Sequence, residues 1–370
     1  MTNPLKVSIM TAGLTPGDAI SNYAISTARI LRQWGARVTI YADNIAPQYG
    51  AIAQKSQFYQ DNGDGILWFH YTLYSENVEI ALASREFKIM DYHGICPPHL
   101  FRGQNAHLEY LTQKGIELRP SLRDKFDQYI IHTEYMRQEL QSMGYPPEKI
   151  NKIFYCIDTS HFTDGVADAQ LATDLAKLDY FLLVGRIVPQ KDVLALVEVF
   201  AEINKQRPDT VLVIVGNRDQ TPKYQRQIDQ LVAARGVEKR VMFTGQVNNP
   251  AVLAALFANA RLLFVTSEWE SFCVPIAESL FFGVPTAVHL APPMPEVAGP
   301  AGIVFDKANP AAAAAEVLAL LDDPQRYQTM KETAVSWAQQ YTSASLEQNL
   351  QSFLRKIQHE VTNGHLPTGD

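Results

Sequence analysis

The chain has 370 residues, 46% hydrophobic and 19% charged, with a formal net charge of -7. That length exceeds one ordinary core and predicts two domains of a soluble globular enzyme. The acidic balance gives no reason to expect nucleic acid or an anionic membrane surface as partner. No apolar run is long enough to span a bilayer, and M-T-N-P-L-K-V at the N-terminus lacks the charged and apolar regions of a signal peptide. Cys96, Cys156 and Cys273 are scattered, with no C-x-x-C pair, so a reducing, cytoplasmic compartment and no structural metal site are expected.

In chain order, L-K-V-S-I-M-T-A (Leu5 to Ala12) predicts a strand, followed by a glycine-bearing loop. A helical pattern runs from about Ile20 to Trp34, closed by Gly35, and R-V-T-I-Y-A (Arg37 to Ala42) is the next strand. The alternation continues with strand Ile66 to Tyr71, helix Glu76 to Ala83 and strand Phe87 to His93. Strand Gln128 to His132, helix Glu134 to Met143 and strand Lys152 to Ile157 complete this half. Asp158 to Asp179 reads as a linker with a short helix. The pattern then restarts with strand Tyr180 to Val184, helix Asp192 to Lys205, strand Thr210 to Val215, helix Gln225 to Arg235 and strand Val241 to Thr244. Helices fill Pro310 to Gln340. Alternating strands and helices predict α/β architecture, with two Rossmann-like halves, each a doubly wound parallel sheet. Leu346, Leu350, Phe353, Leu354 and Ile357 form one apolar helical face that must cover something, with the first domain a candidate. The tail after Thr362 is expected to fray.

The most informative stretch is Ser267 to Glu296, S-E-W-E-S-F-C-V-P-I-A-E-S-L-F-F-G-V-P-T-A-V-H-L-A-P-P-M-P-E. Apolar Leu262 to Val265 leads in as a buried strand. Pro275 suits the first turn of a helix, and Gly283 with Pro285 ends it. Glu270 lies in the loop and Glu278 off the apolar stripe, so two carboxylates converge where a strand ends and a helix begins, the place where open α/β sheets bind ligands. A carboxylate can grip two neighbouring hydroxyls of a ribose or hexose, and the backbone N–H groups near Phe272, Cys273 and Val274 are free to meet oxygen or phosphate. Taken singly, Glu278 reads as a charge favouring the helix dipole and Glu270 as a solvated loop residue. V-G-R-I-V-P-Q-K, Val184 to Lys191, also joins strand to helix. Arg186 offers a planar fork for two phosphate oxygens and Lys191 a compact charge beside it. Such cations stabilise a diphosphate that gains charge as it leaves. Alone, the pair reads as turn-capping surface charge.

Together these motifs resemble the E-x7-E signature and the G-R-x-x-x-x-K motif of retaining GT-B glycosyltransferases of family 4. The family form E-G-F-G-x-P-x-x-E-A stands here as E-S-F-C-V-P-I-A-E-S: Glu270, Glu278, Phe272 and Pro275 match, while Ser271 and Cys273 replace glycines. The resemblance implies two Rossmann-like domains facing a cleft. Residues 1–165, completed by a helix over 342–360, would form the acceptor domain and residues 166–341 the donor domain. It implies retaining, metal-independent transfer from a nucleotide-diphosphate sugar (UDP, GDP or ADP), with no cofactor. The acceptor would be a sugar, a lipid or another small molecule. Glu278 would hold ribose hydroxyls, Glu270 the sugar, and Arg186 with Lys191 the diphosphate.

The resemblance also touches weaker signals. Gly17 and Asp18 stand where the family often carries a Gly-Gly pair, in the G-D-A-I form of one subgroup. The same loop reads equally as a plain turn with Asp18 as N-cap. His70 and His93 end strands. The family places a sugar-contacting histidine at the second, which marks His93 as catalytic, with His70 either a further contact or structural and Asp91 a weaker alternative. His99, His132 and His161 read as structural. Gly216 with Asn217, and Gly245 to Val247, match loops that approach the nucleotide base, and Pro295-Glu296 resembles the family's P-E or a rim turn. A sugar phosphorylase or sucrose-synthase-like enzyme of this fold, and a non-catalytic nucleotide-sugar binder, are the rival readings. Orthophosphate dependence separates the first, and tight binding without turnover the second.

Overall fold

The computed structural model describes residues 4–61, 63–157, 162, 173–218, 221–358 and 360–361. Most of the linker read over Asp158 to Asp179, His161 and the tail after Thr362 lie outside the described residues. The chain divides into two units, Met1–Ile157 with Tyr341–Asp370, and Asp158–Gln340.

The first unit is built on seven parallel strands: β1 (Lys6–Leu14), β2 (Arg37–Ile45), β3 (Ala53–Lys55), β4 (Ile66–Tyr71), β5 (Phe87–Tyr92), β6 (Gln128–Ile131) and β7 (Ile150–Lys152). Their spatial order is β3-β2-β1-β4-β5-β6-β7. All six residues of β4, I-L-W-F-H-Y, are buried, as in a strand covered on both faces. The order reverses between β1 and β4, so the loops that follow those two strands flank a topological switch point.

The closing helix Ser343–Ile357 belongs to this unit. Its apolar face, Leu346, Leu350, Phe353, Leu354 and Ile357, is buried. The Phe353 ring meets Trp68 edge-on at 5.9 Å, and Trp34 Nε1 donates to Glu347 at 3.1 Å. The strand expected over Lys152 to Ile157 is displaced. Ile153 N makes a last bond to the Ile131 carbonyl, and the Ile157 N–H turns to the Tyr341 carbonyl at 2.8 Å. The return of the chain draws this segment off the sheet edge. The helix Ala106–Leu118, capped by Asn105, has no counterpart in the sequence reading. Its apolar stripe is broken by Gly115, where a Cβ would come within 2.9 Å of the Tyr74 backbone nitrogen.

The second unit has six parallel strands: β8 (Tyr180–Val184), β9 (Val211–Val215), β10 (Val241–Gly245), β11 (Leu262–Val265), β12 (Thr286–His289) and β13 (Gly302–Phe305). Their order, β10-β9-β8-β11-β12-β13, is that of a Rossmann sheet. Phe181, Leu183, Leu212, Ile214, Leu262 and Phe264 pack with the helices Val193–Asn204 and Pro310–Leu321 in one core. Here β8 and β11 are neighbours at the switch point, with Leu262 opposite Phe181 and Leu263 opposite Leu182. The loops leaving these strands carry V-G-R-I-V-P-Q-K and S-E-W-E-S-F-C-V-P.

Candidate functional site

The loop after β8 is held close to its neighbour after β9. Gly185 N donates to the Val215 carbonyl at 3.0 Å, and Gly216 N to the Gly245 carbonyl at 2.9 Å. A Cβ on Gly216 would stand 1.9 Å from the Gly185 carbonyl oxygen, so only glycine permits this approach. Asp192 then adopts a left-handed conformation (φ 45°) and caps the helix Val193–Asn204 through the Ala195 N–H.

The loop after β11 is stitched to this one. Thr266 Oγ1 donates to the Lys191 and Asp192 carbonyls at 3.0 and 2.9 Å. Glu268 N donates to the Gln190 carbonyl, and Gln190 Nε2 to the Trp269 carbonyl. The result places Lys191 Nζ 2.5 Å from Glu270 Oε1, with both side chains largely buried. Burial alone would pull the Lys191 pKa down, but the carboxylate beside it turns the net shift upward. Cys273, in a left-handed conformation at φ 75°, turns the chain into the helix Val274–Phe281. Ile276, Ala277 and Leu280 of that helix are buried.

Glu278 sits in the middle of this helix rather than in its first turn. It makes no hydrogen bond or ion pair through its carboxylate to any described residue, and burial raises its pKa to about 7. The Cys273 thiol is pushed well above its ordinary value, chiefly by burial, with Glu270 and Glu278 adding to the shift and Lys191 opposing it. Arg186 is exposed, and its charge opposes that of Lys191. Two carboxylates and two cations therefore share one neighbourhood at the switch point. One acid is neutralised, and the other acid and one cation make no ion pair to a described residue.

Lys307, after β13, went unread in the sequence because it belongs to no motif. Its Nζ reaches Asp192 Oδ2 at 2.8 Å, Glu268 Oε1 at 2.6 Å and the Thr266 carbonyl at 3.0 Å. It ties together the loops that carry Lys191 and Glu270. Burial works against the Glu268 charge, but Lys307 holds that carboxyl below its usual range. Glu296 lies in the first turn of the helix Met294–Ala298, and Phe272 is buried.

In the first unit, Gly17 has φ 72° and open space around it. Asp18 caps the helix Ala19–Gln33, its Oδ2 accepting from Ser21 N at 2.8 Å and Ser21 Oγ at 2.7 Å. The rings of His70 and His93 are both buried. His93 Nε2 lies 2.7 Å from His70 Nδ1, and its Nδ1 lies 3.3 Å from the Tyr155 hydroxyl. The reason is packing: Tyr23 stands edge-on to both rings, and Asp91 lies beneath them. Burial lowers the His70 pKa to about 4 and that of His93 well below its ordinary value, against the pull of Asp91. His99 is exposed, whereas His132 is buried beside Asp91.

Comparison with known proteins bears on both units. Residues 173–337 match the family model of glycosyl transferases group 1. Alpha-D-kanosaminyltransferase of Streptomyces kanamyceticus is 26% identical over 234 residues, 61% of this chain and 59% of that protein. Sucrose-phosphate synthase from Thermosynechococcus elongatus superposes with a TM-score of 0.74 at 15% identity, covering 96% of this chain and 100% of the other. The fold is GT-B. Anabaena HepE, solved in complex with UDP-glucose, shares it with a TM-score of 0.74 at 16% identity over 95% of this chain and 100% of that one. The matched GT-B segment thus spans about three fifths of the curated kanosaminyltransferase. These likenesses show the GT-B fold of the chain and the resemblance of its second unit to glycosyl transferases group 1. No helix among the described residues is long and apolar enough to cross a membrane.

Proposed function

We propose that this chain transfers a sugar from a nucleotide-diphosphate sugar to an acceptor, with retention of anomeric configuration and without a catalytic metal. The observation that carries the reading is the charge arrangement at the second unit's switch point: Lys191 paired with Glu270, Arg186 exposed beside them, and Glu278 half-buried without a partner among the described residues. Glu278 accepts hydrogen bonds from the two ribose hydroxyls, which its carboxylate, unpaired among the described residues, is able to do. Arg186 and Lys191 hold the diphosphate and stabilise the charge that grows as its bond to the sugar breaks. Glu270 is fixed by Lys191 and holds a sugar hydroxyl. N–H groups of the first helical turn, from Val274, complete the anion site. Gly216 and Gly245 let backbone approach the base.

The departing phosphate oxygen takes the acceptor's proton on the same face of the sugar, so no side-chain nucleophile is required. The bond from the anomeric carbon to the phosphate oxygen breaks as the bond to the acceptor oxygen forms. The first unit's loops take the acceptor. Both His93 ring nitrogens have neighbours inside the first unit, His70 Nδ1 and the Tyr155 hydroxyl. HepE's complex with UDP-glucose favours a nucleotide sugar as donor here too.

The test is release of nucleoside diphosphate from UDP-, GDP- and ADP-sugars without added divalent ion, in the presence of candidate acceptors. Release with α-configured product from an α-configured donor is expected. An inverted product, or release that requires added magnesium or manganese, would refute the mechanism. Dependence on orthophosphate would assign a phosphorylase.

A further inference from the structure

The sequence holds four tryptophans, and three of them have a plain duty in the fold. Trp68 Nε1 donates to Asp91 Oδ2 at 2.8 Å, Trp34 Nε1 to Glu347 at 3.1 Å, and Trp337 Nε1 to the Val297 carbonyl at 3.0 Å. Trp68 also meets Phe353 edge-on, and the Trp337 ring lies so close to Gly299 that a Cβ there would stand 2.2 Å away. Trp269 differs. Among the described residues its indole has no hydrogen bond, no aromatic ring against it and no cation over it, and it is only half-buried. An indole is a large apolar plate with one donor, and it normally finds partners for both.

The backbone around Trp269 is fixed from both sides. Glu268 N donates to the Gln190 carbonyl at 2.8 Å, and Gln190 Nε2 donates to the Trp269 carbonyl at 2.9 Å. One residue earlier, Glu268 Oε1 accepts from Lys307 Nζ at 2.6 Å. One residue later, Glu270 Oε1 accepts from Lys191 Nζ at 2.5 Å. The indole therefore stands between two acids, each clamped by a lysine from a different loop. A tryptophan has two side-chain torsions to fix, so on a backbone already held this way it loses little freedom when a ligand covers it. Its neighbour in the chain is Glu270, the acid that holds a hydroxyl of the donor sugar in the reading above.

We infer that Trp269 is a sugar-contacting residue, its indole stacking on the C–H face of the sugar being transferred while Glu270 holds a hydroxyl of the same ring. The inference rests on the donor reading of the second unit. A pyranose is amphipathic, with hydroxyls around its rim and C–H groups on its faces. A carboxylate suits the rim, because it accepts from hydroxyls. The apolar plate of an indole suits the face, and Nε1–H remains to donate to a hydroxyl or phosphate oxygen. The donor sugar this pair fits is a pyranose with at least one face free of axial hydroxyls. A nucleoside diphosphate without its sugar offers the indole nothing to stack on. Trp269 thus distinguishes the charged donor from the spent nucleotide, which Arg186, Lys191 and Glu278 do not.

The test compares two affinities in the full chain. Titration with UDP, GDP and ADP identifies the diphosphate that binds, and its glucose, mannose and N-acetylglucosamine conjugates follow. Trp269→Ala should bind the free diphosphate as the parent does and bind the tightest conjugate about 10-fold more weakly, the size expected of one lost stacking contact. Trp269→Phe keeps a ring and should recover most of that loss. Tryptophan emission reads the same contact should Trp269→Ala fail to fold: the parent's emission should change with the conjugate but not with the diphosphate, and the change should vanish in Trp269→Phe. Unaltered affinity of Trp269→Ala for the conjugate, or an equal loss for conjugate and diphosphate, would overturn the contact. A variant whose only defect is a raised KM for the acceptor would also overturn it. A parent chain that binds none of the three diphosphates would remove the donor reading itself, and the contact with it.

Discussion

The two units use the same sheet architecture and place charge at the same ends of their strands, yet they treat it in opposite ways. In the first unit, His70, Asp91, His93 and His132 are sealed in the core and turned toward one another. In the second, Arg186 is exposed and the Glu278 carboxylate has no partner among the described residues. Desolvated groups that face each other serve the fold. Charged groups left without partners beside a switch point serve a ligand. The contrast is why the donor reading rests on the second unit.

The sharpest way to break this contrast is Arg186→Ala. On the identified donor it should lower kcat about 100- to 1,000-fold, the usual effect of removing one group that stabilises transition-state charge. Its melting point should hardly move, because the side chain is exposed. Steady-state kinetics beside a thermal melt would show it. Next in size is Lys191→Met, which strands Glu270 as an uncompensated buried charge. A loss of about 3 kcal/mol in denaturant unfolding is expected, in addition to loss of turnover. Should the variant be as stable as the parent, Lys191 and Glu270 are not the pair described.

Glu278 sharpens the comparison through pH. Its pKa is raised to about 7 in the folded protein, so the fold holds a proton that the unfolded chain has already released. Stability contributed by this site is therefore present at low pH, falls as pH climbs from the ordinary glutamate range to about 7, and is flat above. Binding runs the other way, because the ionised carboxylate is the better acceptor for ribose hydroxyls. Glu278→Gln should flatten both profiles and weaken nucleotide binding about 10- to 100-fold at neutral pH. Melts and titrations between about pH 5 and pH 8 check the two signs together.

Lys307→Met should cost about 1–2 kcal/mol and raise KM, since two hydrogen bonds and an ion pair that tie the two loops are lost. Lys307→Arg should rescue part of the KM. The smallest effect belongs to Cys273→Gly. Releasing a side chain held at φ 75° should raise stability by about 1 kcal/mol, read as a small gain in melting temperature.

Much of this was legible in the residues. Runs such as Tyr180 to Val184 and Leu262 to Val265 are apolar at every position, and buried parallel strands need that pattern. The turn chemistry of Gly283 and Pro285 marked the end of the Glu278 helix. Less legible were the helices Ala106–Leu118 and Pro250–Asn259, the first with Gly115 in its stripe and the second without a polar face. The charged motifs at the switch point were readable because each lies in one loop. Lys307 was not, because its partners are 41, 39 and 115 residues away and only the sheet brings them to it. The histidine column was hidden for the same reason. Three strands supply one ring each, and their placement on a common face exists only once β4, β5 and β6 are paired.

The most direct measurement is calorimetric titration of UDP, GDP and ADP into the full chain and into Glu278→Gln and Asp91→Asn. One nucleotide should bind the parent and the folded Asp91→Asn protein with similar affinity and bind Glu278→Gln far more weakly. Equal binding to Glu278→Gln and the parent, or binding abolished only in Asp91→Asn, would contradict the assignment of the donor to the second unit's charged loops.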